Sequence, residues 1–84
     1  MEEVTVLMST YNGEKYLEKQ LDSILKQENV VVSIRVRDDG SKDGTLKILE
    51  KYSKNYQNIS YYKGENLGAA QSFMELIYNN YGDD

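Results

Sequence analysis

Short apolar, β-branched runs alternate three times with longer stretches of helical period, and this alternation restricts the fold more than any other feature of the chain. Residues 4–8 (Val-Thr-Val-Leu-Met) read as a buried strand that stops at the polar turn Ser9-Thr10-Tyr11-Asn12-Gly13. Leu17, Leu21, Ile24 and Leu25 then recur at the spacing of one helix face, with Glu14 near its start and Lys26 near its end, as the helix dipole prefers. Residues 30–36 form a second β-branched run, ending at Arg37-Asp38-Asp39-Gly40. Leu46, Leu49 and Tyr52 give a second helical stripe, with Asp43 as its expected cap. Residues 59–62 read as a third strand, followed by the loop 63–68. Ala70, Phe73, Met74, Ile77, Tyr78 and Tyr81 then line one face of a last helix.

Strands separated by helices of this length are joined by βαβ crossovers and pair in parallel. The expected fold class is therefore α/β: a three-layer αβα, Rossmann-like half-domain with three parallel strands and about three helices, in a single domain over residues 1–84. Ligands of open parallel sheets bind beyond the carboxyl ends of the strands. The polar loops 9–13, 37–44 and 63–68 all follow strands, so they share that edge, and a site is expected there. One detail resists the scheme. Ser33, Arg35 and Arg37 alternate onto one face of the second strand, where a central parallel strand is ordinarily apolar. Either that face is poorly covered, or the arginines pair with nearby acids.

Composition narrows the chemistry. A chain of 84 residues buries only roughly 60% of its unfolded surface, which leaves a thin stability margin. Cysteine and histidine are both absent, so disulfides, thiolate metal sites and imidazole acid–base chemistry are excluded. Any metal would be a hard, oxygen-liganded cation. The net charge of −4 argues against non-specific nucleic-acid binding, which needs a basic face. No apolar run approaches the roughly 20 residues of a membrane span, and no leader pattern is visible. A cytoplasmic location is expected, or the inner face of a membrane if a longer parent carries an anchor.

Each loop admits a plain and a functional reading. Ser9, Thr10 and the Tyr11 ring suit a planar base, through hydroxyl donors and stacking; the plain reading is a helix entry capped by Asn12 or Thr10. Asp38 and Asp39 repel each other at a strand end unless something compensates. A carboxylate there can accept the imide N–H of uracil or thymine, or a ribose hydroxyl. The plain reading is a solvated turn favouring the next helix N-terminus. The same loop also approximates a calcium loop over residues 39–50, with Asp39, Ser41, Asp43, Gly44 and Glu50 in register. That reading needs a preceding helix, and residues 30–36 are poor helix formers. The loop 64–68 brings backbone and the Asn66 amide to the same edge and opens a helix N-terminus that can meet phosphate.

In order and spacing, these segments together resemble the start of a family 2 glycosyltransferase with the GT-A fold. The resemblance is carried by residues 4–13, 16–17, 21–27, 38–45 and 66–70. It implies that Ser9, Thr10 and Tyr11 lie against base and ribose, that Asp39 bonds the pyrimidine, and that Asp38 neighbours the pocket. It implies further that Asn66 and Gly68 border the nucleotide, where the uncharged Gln71 stands in place of a basic contact. A UDP- or dTDP-sugar donor, a glycan acceptor and a rhamnosyltransferase-like activity are implied for the parent. Mg2+ or Mn2+ would be held in the full-length enzyme by an Asp-X-Asp motif lying beyond this stretch. The fragment itself would hold no metal or cofactor and no catalytic residue, and would not transfer sugar alone. Its cut sheet is expected to leave an open edge and uncovered apolar helix faces, favouring self-association. The rival class is a non-enzymatic α/β binding or assembly module. A receiver-like phosphotransfer domain is disfavoured, because residues 61–64 supply no further strand-end aspartate.

Overall fold

The computed structural model describes residues 2–81 of the chain and the side chains of residues 2–80. Strands β1 (Glu2–Thr10), β2 (Val30–Asp38) and β3 (Ile59–Lys63) alternate with helices α1 (Leu17–Leu25), α2 (Thr45–Asn55) and α3 (Ala69–Tyr81). The sheet order is β1-β2-β3, and both pairings are parallel. Helices α1 and α2 cover one face of the sheet and α3 the other, so the fold has the expected three layers.

The main core lies under α1 and α2. Leu17, Leu21, Val36 and Leu49 are completely inaccessible, packed with Met8, Val32, Ile34, Tyr52 and Ile59. Burying a leucine of this kind contributes about 1.5–3 kcal/mol, so α1 and α2 are held by the stripes that their period predicts. The Tyr52 hydroxyl donates to Asp22 Oδ1 at 2.7 Å, joining the two helices. Burial and that carboxylate push its ionisation well above the ordinary tyrosine range.

The strands run further than their apolar cores. Ser9 and Thr10 pair with Arg37 and Asp38 as the last rungs of the β1–β2 ladder, and are strand residues rather than loop. Helix α1 begins at Leu17, after a turn in which Gly13 C=O accepts the N–H groups of Tyr16 and Leu17. Neither Asn12 nor Thr10 caps it. Glu14 lies outside the helix, and Glu18 supplies the acid of its first turn. Asp43 sits one residue before the Gly44 N-cap of α2, and its Oδ1 accepts the Thr45 N–H at 2.9 Å.

Helix α3 presents one of the uncovered apolar helix faces that the sequence led us to expect. Its apolar stripe is real but faces outward: Phe73, Met74 and Tyr78 are 42%, 65% and 62% exposed. The residues turned to the sheet are Leu76 and Ser72, both inaccessible, flanked by the half-buried Glu75. The reason is the polarity of the sheet face beneath. That face presents Ser9 and Arg37, and Ser72 Oγ meets both, at 2.6 Å and 2.9 Å. The Tyr81 side chain lies outside the described residues.

The irregular face of β2 resolves by position. Arg37 is buried and paired with acids. Arg35 lies over the Tyr62 ring, 4.8 Å from its centroid, and bonds Ser60. Val31 and Ser33, nearer the amino end, are exposed. The amino half of this face is therefore uncovered, while in the carboxyl half Arg37 pairs with acids and Arg35 with Ser60 and the Tyr62 ring. Leu76→Ala should cost about 2–5 kcal/mol in chemical denaturation, whereas Met74→Gln should stay within about 0.5 kcal/mol. The reverse order would mean that α3 docks by its apolar stripe.

Candidate functional site

The three strand-end loops are stitched into one unit. Asn12 N–H donates to Ser41 Oγ and Asn12 Oδ1 accepts Lys42 N–H, both at 2.8 Å. Gly13 N–H donates to the buried Thr45 Oγ1 at 2.8 Å, and Gly44 N–H to Glu14 Oε1 at 3.0 Å. Asn66 Nδ2 reaches the Asp39 carbonyl at 3.1 Å. Gly40, at φ +80°, lies so close to the Asn66 backbone that a Cβ would come within 3.2 Å of its nitrogen. A glycine is needed there for both reasons.

The adjacent aspartates diverge to opposite sides of the strand end, and each finds its own donors. Asp38, completely inaccessible, accepts Thr10 Oγ1 (2.9 Å), Ser41 Oγ (2.6 Å) and Ser41 N–H (2.8 Å). Asp39 turns toward α3. Its Oδ1 takes Arg37 Nη1 at 2.7 Å and Leu67 N–H at 2.9 Å, while Oδ2 takes Gly68 N–H at 3.1 Å. Burial works against its charge, but Leu67, Arg37 and Gly68 together outweigh it and hold the carboxyl below the ordinary aspartate value. With two acceptor positions on each oxygen, three donors leave one position open, on Oδ2.

Beside Asp39 opens a cavity of about 420 Å³, lined by Ser9, Thr10, Tyr11, Tyr16, Asp39, Asn66, Gly68 and Ala69. Six of the seven expected residues stand on this wall. Asp38 does not: it lies behind, joining Thr10 to the second loop. Tyr16 was missed, because directly before Leu17 it reads as one more helix residue. The helix N-terminus expected to meet phosphate is partly occupied, since the Leu67 and Gly68 N–H groups already hold Asp39. Gln71 is exposed. The calcium-loop pattern does not close on a cation: β2 precedes it, Asp39 and Asp43 serve different backbone donors, and Glu50 is exposed on α2. Among the described residues no three acidic groups gather in a way that could hold a metal.

A parallel sheet whose strand-end loops close round one cavity is the arrangement in which open α/β sheets hold their ligands. The glycosyl transferase family 2 profile matches residues 5–83, and the chain belongs to that family. The dTDP-rhamnosyl transferase RfbG of Shigella flexneri is 42% identical over 73 residues, covering 83% of this chain and 25% of that protein. Abequosyltransferase RfbV of Salmonella typhimurium is 32% identical over 84 residues, covering 95% and 25%. Among solved structures, mannosyltransferase PcManGT from Pyrobaculum calidifontis, in complex with GDP-Man and Mn2+, superposes with a TM-score of 0.79 at 25% identity, covering 90% of this chain and 24% of that one. S. aureus TarS 1–349 in complex with UDP gives 0.75 at 30% identity, covering 94% and 24%. The fold is the opening part of the GT-A fold. The chain spans about a quarter of the length of these relatives.

The depressed ionisation of Asp39 has a pH consequence. A carboxyl bound more weakly by protons when folded stabilises the fold above its unfolded value, and loses that contribution as pH falls through its folded value. Asp39→Asn leaves Arg37 short of a buried partner, which should cost about 3–5 kcal/mol near neutrality. Urea titrations of both proteins should show this gap narrowing as the pH falls below about 4. A gap that is constant with pH would remove Asp39 as its source.

Proposed function

We propose that residues 1–84 are the nucleotide-binding front half of a glycosyltransferase catalytic domain, whose parent transfers a sugar from a UDP- or dTDP-linked donor to a glycan acceptor. The observation that carries this is the Asp39 carboxylate, held ionised at the cavity with one acceptor position open. Such a group takes the imide N–H that uracil and thymine both carry. Tyr11 offers an aromatic surface in the same cavity, and Ser9, Thr10, Asn66 and Gly68 complete the wall, with Asp38 supporting Thr10 from behind. TarS has been solved with UDP and with UDP-GlcNAc, and RfbG is named for a dTDP-linked donor, which supports the pyrimidine assignment.

The full-length enzyme is proposed to use Mg2+ or Mn2+, since PcManGT has been solved in complex with GDP-Man and Mn2+. The residues described here do not form that site: both strand-end aspartates are committed to donors of the chain itself. Charge developing on a leaving diphosphate would then lack a stabiliser among these residues, and we propose that the 84-residue chain does not transfer sugar by itself. No described helix is long and apolar enough to cross a membrane; a cytoplasmic site of action, at a membrane face in a longer parent, remains part of the proposal.

Amide-resolved titration with UDP and dTDP tests the reading. Shifts should be confined to residues 9–13, 37–41 and 64–71, and Asp39→Asn, compared under conditions where its own amide spectrum is that of a folded chain, should weaken binding by roughly tenfold or more, the loss expected for a hydrogen bond to a charged group. The same sample given UDP- or dTDP-sugars should release no nucleotide above the blank. A folded chain that ignores both nucleotides would instead favour a binding or assembly module.

The free edge of β1 is, in the same proposal, a self-association surface, because unpaired strand groups recruit further strands. Light scattering should show mass rising with concentration. A monomer at every concentration would remove this part.

A further inference from the structure

Tyr16 stands on the cavity wall with nothing in the core to account for it. It precedes α1 as its N-cap, is 51% exposed, and lines the same cavity as Tyr11. Among the described residues its hydroxyl has no hydrogen-bond partner, unlike those of Tyr52 and Tyr62, which bond Asp22 and Glu75. The ring lies against Gly13, where a Cβ would come within 2.7 Å of both Cζ and the hydroxyl oxygen. Gly13 is itself immobilised: its N–H is held by Thr45 Oγ1, and its carbonyl by the N–H groups of Tyr16 and Leu17. A hydrogen-bonded turn without a side chain thus lies against an exposed aromatic that lines the cavity. The wall also includes the small residues Gly68 and Ala69, and a Cβ on Gly68 would meet no atom within 4 Å. The exposed Tyr16 ring, the Tyr11 ring and these small residues thus line one cavity.

We propose that Tyr16 is a nucleobase-binding residue, giving the base a second aromatic surface alongside Tyr11 while the imide edge meets Asp39. This rests on the nucleotide reading above. Being half exposed, Tyr16 can be replaced at little cost to the fold, and its effect on binding can be read directly.

The test is calorimetric titration of the 84-residue chain, with wild type, Tyr16→Phe, Tyr16→Leu and Tyr16→Ala each given UMP and then UDP. Base–aromatic stacking predicts that Tyr16→Ala weakens both ligands by the same factor, roughly tenfold or more. Tyr16→Phe should stay within about threefold, because the face of the ring is kept. Tyr16→Leu, which keeps bulk without the ring, should fall near the alanine variant and carries the test should alanine fail to fold. Wild-type affinity in the leucine or alanine variant would overturn the proposal and leave the nucleotide reading intact. A loss for UDP alone would also overturn it, by moving the contact to the phosphates. If wild type binds neither ligand, both readings fall together.

Discussion

Burying the Arg37 guanidinium against one face of β2 costs several kcal/mol of lost hydration, and the arrangement of the Asp39 side of the strand-end edge follows from how that cost is met. Nη1 is shared by Asp39 and Ser72, Nε meets Glu75 Oε1 at 2.9 Å, and Nη2 meets the Glu65 carbonyl at 3.1 Å. Those four partners come from the strand end, the third loop and α3. One side chain therefore ties together the elements that form the Asp39 side of the cavity. Gly64 belongs to the same arrangement, since any Cβ there would collide with the guanidinium. Glu75 is drawn in as well: the Tyr62 hydroxyl, and then Arg37, hold its carboxyl below the ordinary glutamate range against partial burial.

The rotation of α3 is a consequence of this pairing. An apolar stripe docked on this face would leave Arg37 without Glu75 and Ser72, and a buried guanidinium lacking partners is worse than an exposed phenylalanine or methionine. Polar satisfaction therefore wins over apolar burial here, and the stripe of Phe73, Met74 and Tyr78 stays outside. Among the described side chains of the helix, Leu76 is the single apolar one that gains a fully buried seat.

These competing terms also mark the limit of what could be read without coordinates. Leu17, Leu21 and Leu49 were legible because period alone decides their burial when the facing strand is apolar. The meeting of the three loops was legible because a parallel sheet puts every strand end on one edge. Periodicity did reveal an apolar stripe on α3, but not which way it turns, since that depends on a partner 38 residues from Arg37. The alternation of Ser33, Arg35 and Arg37 signalled an anomaly without naming its resolution, which changes midway along the strand. Thr45 and Ser41 gave no sign of holding Gly13 and Asn12, because hydroxyls in a polar loop look alike until a second loop approaches. Tyr16 stayed hidden for a different reason: the residue that explains its place is Gly13, through the absence of a side chain.

The position of Asp39 has a further electrostatic meaning. Its carboxylate takes the Leu67 and Gly68 N–H groups, so the positive end of α3 is used to hold an anion of the protein itself. That is favourable for the fold, because a helix N-terminus stabilises a nearby carboxylate. It also makes this corner a poor seat for a second anion, since a phosphate would meet a committed set of donors and a fixed negative charge. The same group is well suited to a neutral ligand edge that donates a proton in a hydrogen bond. On the nucleotide reading proposed above, the charge of the strand end would favour the base beside Asp39 and direct the phosphates away from Leu67 and Gly68. Two apparently unrelated features, a buried arginine in a strand and an aspartate capping a distant helix, act together here. The Leu67 N–H, Arg37 and the Gly68 N–H together keep Asp39 ionised and turned to α3, and Asp39 in turn gives the cavity its polarity.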